Sequence, residues 1–431
     1  MMKCIFSFLV LILFSHSAYS QAVIPFGEIH PKLTNTVNEQ YFEFQWALVN
    51  YGHVVQQQRS ELEYEPLCGK NFELSEFNSD DISAEDFFLG SSGKDCVPVE
   101  SSSGATAADK KDFDISWLNY VLSLDSLIKR DVVVAVVDSG LDYDHPDIID
   151  NIARDLKKCN FVEKPGEIKR KKKRRDPKQG RRQGREESKE APPISEFDFS
   201  ADCLGWNFTD PKQKLGTNIV YDDSSISHGT HIAGILSAAV GNGIGVSGIS
   251  NRIKVLPVKV FREFTRNEAQ KFSVESEFKL LLDQVATGLE YLALVKRNGR
   301  HVDAVNLSFG WPKRLTTDRL NKAIQKLIDL DIAVVAAAGN DDVNVDLFPC
   351  AYPGVICVGA HSNTGEITSF SNYGSTVDIL AAGDNILSLS RTDEISQLFS
   401  QSDNYDFLSG TSQAAPFVAG AAAILKGIYK D

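Results

Sequence analysis

The chain has 431 residues, 42% of them hydrophobic and 24% charged, the balance of an ordinary soluble globular protein. That length suits one large α/β domain or two smaller ones. Net charge is −13, yet residues 169–185 hold eleven Lys/Arg against one Asp, so the rest of the chain carries −23 and offers no nucleic-acid surface.

In chain order, the first feature is an export signal over 1–20. Lys3 supplies the positive end, Ile5 to Phe14 form an apolar run broken by Ser7, and Ala18-Tyr19-Ser20 fits a small-x-small cleavage site. The run is well short of the roughly 20 residues of a spanning helix, and no later segment reaches that length. A secreted chain, extracellular or periplasmic, without a stable membrane anchor is expected. Beyond Cys4, six cysteines remain: Cys68, Cys96, Cys159, Cys203, Cys350 and Cys357. An even count in an oxidising compartment favours disulfides, and fifteen pairings are open. Neighbours in sequence are favoured: Cys68–Cys96, Cys159–Cys203 and Cys350–Cys357. Buried free thiols are the alternative, chiefly for the last two. None has the Cys-x-x-Cys spacing of a zinc site.

Residues 21–40 read as a short polar leader. The run Val132–Val137 is the first of five apolar, β-branched strands, followed by Ile253–Val260, Val302–Leu307, Ile332–Ala338 and Val355–Val358. Helical periodicity falls between them over Glu275–Val295 and Asp318–Ile328, and further helices are expected over Gly229–Ala239, rich in Gly and Ala, and Ala414–Ile428. The alternation predicts an α/β fold, a doubly wound, mostly parallel sheet with helices on both faces. Ligand sites in such sheets lie past the carboxyl ends of strands, where Asp138 and Asn340 both fall. The basic run, led by Lys169-Arg170-Lys171-Lys172-Lys173-Arg174-Arg175, lies in an insertion at about 157–202 and reads as a solvated, disordered loop.

Three strings carry the chemistry. Asp138 sits in Val136-Val137-Asp138-Ser139-Gly140, His228 in His228-Gly229-Thr230-His231-Ile232-Ala233-Gly234, and Ser412 in Gly410-Thr411-Ser412-Gln413-Ala414-Ala415-Pro416. A serine hydroxyl becomes a nucleophile only beside a base, and the base needs an orienting partner. The order Asp, His, Ser is that of the subtilisin type. With these strings the chain resembles a subtilisin-like serine endopeptidase, a subtilase, from about Tyr41 to its end.

The resemblance implies more. Tyr41–Gly52 is similar to the opening of the catalytic domain, and Asp114-Ile115-Ser116-Trp117 to a landmark before the first core strand. The catalytic domain would then span 41–431, with insertions at about 53–111 and 157–202. A divergent propeptide over 21–111 is the competing reading. Ala336-Ala337-Ala338-Gly339-Asn340 matches the string whose asparagine donates to the oxyanion. Ser308, Phe309 and Gly310 would pair with substrate backbone, with Ala337 and Ala338 in the facing wall, giving broad cleavage with apolar or aromatic preference. The chemistry needs no cofactor. A structural calcium ion, with Asp147 and Asn242 as ligands, is family-typical, and two ordinary turn residues are the alternative. His231 and His145 read as structural. Expected partners are protein or peptide substrates, with no nucleic acid, on a monomeric chain. Gln413, Phe417 and Ala382 depart from the family's usual Met, His and Pro. The chain also stops soon after the Ser412 helix, where the family usually continues, with apolar surface expected to be exposed. A catalytically weak or inactive binding protein is the second functional reading.

Overall fold

Val132, Val134 and Val136 pack on one side of a sheet, and Val133, Ala135 and Val137 on the other. Successive side chains of a strand point to opposite faces, so an unbroken apolar run needs cover on both. A computed structural model describes residues 127–155, 158, 193–209, 216–262, 274–344, 347–392 and 404–429. Its strands are β1 (Val132–Asp138), β2 (Trp206–Asn207), β3 (Ile253–Lys259), β4 (Ala304–Leu307), β5 (Trp311–Pro312), β6 (Ala333–Ala337), β7 (Leu347–Phe348), β8 (Val355–His361), β9 (Ile379–Ala382), β10 (Ile386–Leu389) and β11 (Tyr405–Leu408). Its α-helices are α1 (His228–Ser237), α2 (Val274–Arg297), α3 (Asp318–Asp329) and α4 (Thr411–Tyr429).

Seven strands form one parallel sheet in the order β2-β3-β1-β4-β6-β8-β9. All five expected strands lie in it. The short edge strands β2 and β9 lacked a long apolar run to announce them. Helices α1 and α4 cover one face with Ile232, Leu236, Ala415, Ala419 and Ala423. Helices α2 and α3 cover the other with Val285, Leu289, Leu320, Ile324 and Leu327. Small residues let α4 lie close: a Cβ on Gly420 would stand 2.5 Å from Ile249 Cδ1. Two antiparallel pairs, β5–β7 and β10–β11, flank the sheet. Exposed large apolar side chains include Ile379 and Leu380 on β9 and Leu425 and Tyr429 on α4.

The segment before β2 is anchored on α2. Phe199 packs its ring 4.9 Å from that of Trp206 and 5.0 Å from that of Tyr291. Buried Asp202 accepts from the Tyr291 hydroxyl at 2.7 Å and from Arg300 at 3.1 Å. Cys350 and Cys357 are bonded, with Cα atoms 4.7 Å apart. Cys203 is disulfide-bonded as well. Cys159 and the Cys68–Cys96 pair lie outside the described residues, as do the signal, the leader, the 53–111 insertion and the basic run.

Candidate active site

Asp138 is the last residue of β1 and is buried. Its carboxylate accepts the Ser139 N–H at 2.7 Å. His228 opens α1, and its Nδ1 lies 2.9 and 3.0 Å from the two Asp138 oxygens. A carboxylate only accepts, so Nδ1 carries the proton and Nε2 is left with a lone pair. The His228 side chain is 15% exposed, against 2% for Asp138, so the ring is not wholly closed off from solvent. Burial pulls this imidazole down, but the Asp138 charge and hydrogen bond and the Asp222 charge leave it above its ordinary value.

The start of α1 is fixed locally. Ser227 adopts the left-handed conformation at φ 54°, and Ser224 Oγ accepts the His228 N–H at 3.0 Å. Asp222 in turn accepts from Ser224 Oγ at 2.8 Å and Thr230 Oγ1 at 2.8 Å. Burial works against the Asp222 charge, yet Lys259 and the Ser224 and Thr230 hydrogen bonds hold its carboxyl below the usual range. Gly229 allows the helix end to meet β1: a Cβ there would stand 2.2 Å from the Gly140 carbonyl. Asp222 and Ser224 went unread in the sequence. Their signal is an Asp-x-Ser turn just ahead of a helix-opening histidine.

Ser412 is the second residue of α4 and is buried. Its hydroxyl donates to the Ser308 carbonyl at 3.0 Å, while Ser308 Oγ donates to the Ser412 carbonyl at 2.7 Å. Pro416 explains the second bond. It sits inside α4 four residues on and lacks the N–H that would otherwise take the Ser412 carbonyl. Asn306 completes the arrangement, donating to Ser308 Oγ at 2.8 Å. Asn306 heads the segment expected along the substrate, and its support of Ser308 was not read from the sequence; a polar residue in the buried run Ala304–Leu307 was the available signal.

The sheet brings these groups together. β1 pairs with β4 through Val136↔Asn306, so Asp138 and Ser308 leave adjacent strands at the same edge. Neighbouring strands run about 4.8 Å apart. Asn340 follows β6, the next strand along. Its Oδ1 accepts from Thr411 N at 2.8 Å and Thr411 Oγ1 at 2.9 Å, which turns Nδ2 away from them. Nδ2 would stand 3.3 Å from a Cβ on Gly410, beside the start of α4. The Ser412 N–H lies in the first turn of that helix, where backbone donors lack intrahelical acceptors. Asp138, His228, Asn340 and Ser412 thus gather at one rim, and the resting Ser412 proton goes to Ser308.

Of the residues expected along a substrate, Ser308 and Gly310 follow β4, and Ala337 and Ala338 lie at the end of β6, so the two segments stand at neighbouring strand ends. Ser308, Ala337 and Ala338 are buried, and the Phe309 ring belongs to the core. It is 4% exposed and packs against Phe261, ring centroids 4.7 Å apart, and Trp311, 6.2 Å apart.

Asp147 and Asn242 meet, but as donor and acceptor. Asn242 Nδ2 donates to Asp147 Oδ1 at 2.7 Å, and its own Oδ1 accepts the Ile244 N–H at 3.0 Å. Asp147 Oδ2 accepts from Val246 N at 2.9 Å and the Tyr405 hydroxyl at 3.3 Å. A hard cation needs oxygens turned toward one point. Here N–H and O–H groups face the carboxylate, so this set does not fit calcium. Among the described residues no group of three or more His, Cys, Asp and Glu is placed to hold a metal ion.

His231 is structural, as expected. Its Nε2 donates to the Ile386 and Asp406 carbonyls, each at 3.1 Å, tying α1 to the β10–β11 hairpin. Burial pushes its pKa down to about 3. His145 bridges the Asp147 N–H and the Asn404 carbonyl.

Comparison with known proteins gives relatives of similar kind. Subtilisin BL of Lederbergia lenta is 35% identical over 199 residues, 46% of this chain and 62% of that protein. The thermophilic serine proteinase of Bacillus sp. (strain AK1) is 34% identical over 206 residues, 48% of this chain and 44% of that protein. The extracellular basic protease of Dichelobacter nodosus is 30% identical over 297 residues, 68% of this chain and 42% of that protein. The chain therefore spans less than two thirds of the length of each. A solved structure of proteases from Pseudoalteromonas arctica PAMC 21717 superposes with a TM-score of 0.48 at 23% identity, covering 71% of this chain and 81% of that one. The model of the subtilase family matches residues 129–431, and with most of its length so matched, this chain belongs to the subtilase family.

Proposed function

We propose that the protein is an exported serine endopeptidase that cleaves peptide bonds through an acyl-enzyme on Ser412. The observation that carries this is the Asp138–His228 pair, 2.9 Å apart, at the same sheet edge as Ser412 and Asn340. In this reading the Ser412 proton leaves the Ser308 carbonyl and passes to His228 Nε2. The Oγ then attacks the substrate carbonyl carbon, and Asp138 stabilises the imidazolium that forms. The carbonyl oxygen, now negative, accepts from Asn340 Nδ2 and the Ser412 N–H. As the C–N bond breaks, His228 returns the proton to the leaving amine. Water, deprotonated by His228, hydrolyses the ester and restores Ser412.

Export rests on the N-terminal signal pattern, and a relative described as extracellular supports it. Hydrolysis of a peptide anilide tests the chemistry. Ser412→Ala removes turnover, and Asn340→Ala lowers kcat by about 10²–10³, some 3–4 kcal/mol of lost oxyanion stabilisation, with little change in KM. Undiminished turnover in Ser412→Ala refutes the assignment.

A further inference from the structure

Lysine seldom lies inside a protein, because a buried ammonium loses its hydration unless it is paired. Lys259, the last residue of β3, is buried. Its Cα pairs with that of Asp138, the last residue of β1. Side chains alternate along a strand, so Asp138 and Lys259 point to the face that α1 covers, as do Val136 and Val255 of the same two strands. Lys259 Nζ donates to the Ser139 carbonyl and, at 2.6 Å, to Asp223 Oδ1.

These partners belong to the two segments that meet in the Asp138–His228 pair. Ser139 follows Asp138, and its Oγ accepts the Gly229 N–H at 2.9 Å, beside His228. Asp223 lies between Asp222 and Ser224, which hold the head of α1. Lys259 thus spans from the turn that presents the orienting carboxylate to the segment that presents the base. A misplacement of about 1 Å at such a site costs up to about 10²-fold in rate. Lys259 also brings charge. Facing this corner are Asp138 and Asp142 from β1 and the turn after it, Asp222 and Asp223 ahead of α1, His231 on α1, and Arg391, which donates to the Asp222 carbonyl. Burial favours a neutral Asp222, and Lys259 helps to hold its carboxyl low; burial pulls His228 down, and Asp138 and Asp222 keep it raised. A cation at Lys259 offsets part of that carboxylate charge.

We propose that Lys259 is a positioning residue for the catalytic base: it ties the Asp138–Ser139 turn to the segment entering α1, and its charge offsets the carboxylates that act on His228. The inference rests on the endopeptidase reading, and Lys259 acts through Asp138 and His228 rather than on the substrate. A neutral side chain there loosens the tie. It also leaves the imidazolium beside more uncompensated negative charge, so the base keeps its proton to higher pH.

The test is hydrolysis of a peptide anilide over a range of pH by the full chain and by Lys259→Met and Lys259→Arg. Lys259→Met should lower kcat by at least about tenfold with little change in KM, and should move the acid limb of kcat/KM to higher pH. Lys259→Arg keeps the charge and should return the limb to its wild-type position. A residue that only stabilised the fold would change the folded fraction and leave the limb in place. Folded Lys259→Met with unchanged kcat, or with a limb that stays or moves lower, overturns the proposal. The His228 imidazole titration, followed by NMR in Ser412→Ala with and without Lys259→Met, separates the two readings. A midpoint that rises without turnover by the wild type refutes the peptidase and keeps the charge role of Lys259; turnover with an unmoved midpoint does the reverse. If Lys259→Met does not fold, Asp223→Ala, at a half-exposed side chain, takes its place in both measurements. It should lower kcat by at least about threefold and move limb and midpoint lower, since a carboxylate is lost and the Lys259 charge stays. Undiminished kcat there, or a midpoint that does not fall, overturns the proposal.

Discussion

Ser412 and His228 are prepared separately, each by residues the motif strings do not contain. Ser308 holds the serine through both its hydroxyl and its carbonyl, at 2.7 and 3.0 Å. Asp222 holds the head of α1 through Ser224 and Thr230. The motif residues themselves were legible because nucleophile, base and orienter must be specific residue types in a fixed chain order. The supporting shell was not, since serines, threonines and asparagines are common and acquire meaning only from what they touch. Phe309 shows the same limit: its type suggested a pocket wall, and only packing reveals that it belongs to the core. The charge environment of His228 gives a pH prediction. The base must be neutral to accept the serine proton, and Asp138 and Asp222 keep its pKa raised despite burial. The acid limb of kcat/KM should therefore lie above that of an ordinary imidazole, with rate lost as pH falls through that raised value. Asp222→Asn removes one raising charge, so the limb should move to lower pH. A pH–rate profile that does not move, or moves upward, contradicts this origin of the shift.

At the scale of elements, strand interiors were the most legible part of the chain. Val132–Asp138 and Ile253–Lys259 are long, β-branched and buried on both faces, so composition alone identifies them. The strand β2 has two residues, and it is defined by partners distant in sequence. Its position depends on the clip beneath it. Asp202, buried, is bonded to Tyr291 and Arg300 on and just after α2. Removing one partner from a buried, hydrogen-bonded ion pair leaves the other charge uncompensated. Asp202→Ala should cost about 3–5 kcal/mol in denaturant unfolding, whereas an exposed pair such as Arg252–Asp131 should cost less than about 1 kcal/mol. A loss below about 1 kcal/mol at Asp202 would mean that the clip does not anchor this segment.

For the molecule as a whole, the metal question is answerable in solution. Calcium was an expectation from resemblance, and Asp147 and Asn242 do meet, yet they meet through an N–H bond. Gly245 shows how closely the Tyr405 ring fills the place beside them: a Cβ there would stand 2.0 Å from the phenol oxygen. A ligand that binds only the native state at a hundred times its Kd adds about 2.7 kcal/mol of stability. If Asp147 and Asn242 hold no ion, any difference in Tm between EDTA and millimolar calcium should be the same in the wild type and in Asn242→Ala, and a fall of more than about 5 °C with EDTA that Asn242→Ala abolishes contradicts the hydrogen-bonded loop. Among the described residues no helix is long and apolar enough to cross a membrane.

The most direct measurement of the central claim is covalent labelling of the folded, full-length protein by a fluorophosphonate, with the labelled residue mapped by mass spectrometry. The account predicts a single adduct on Ser412, formed faster as His228 loses its proton and lost in His228→Ala. Folded protein that stays unlabelled, or an adduct on another residue, would contradict it.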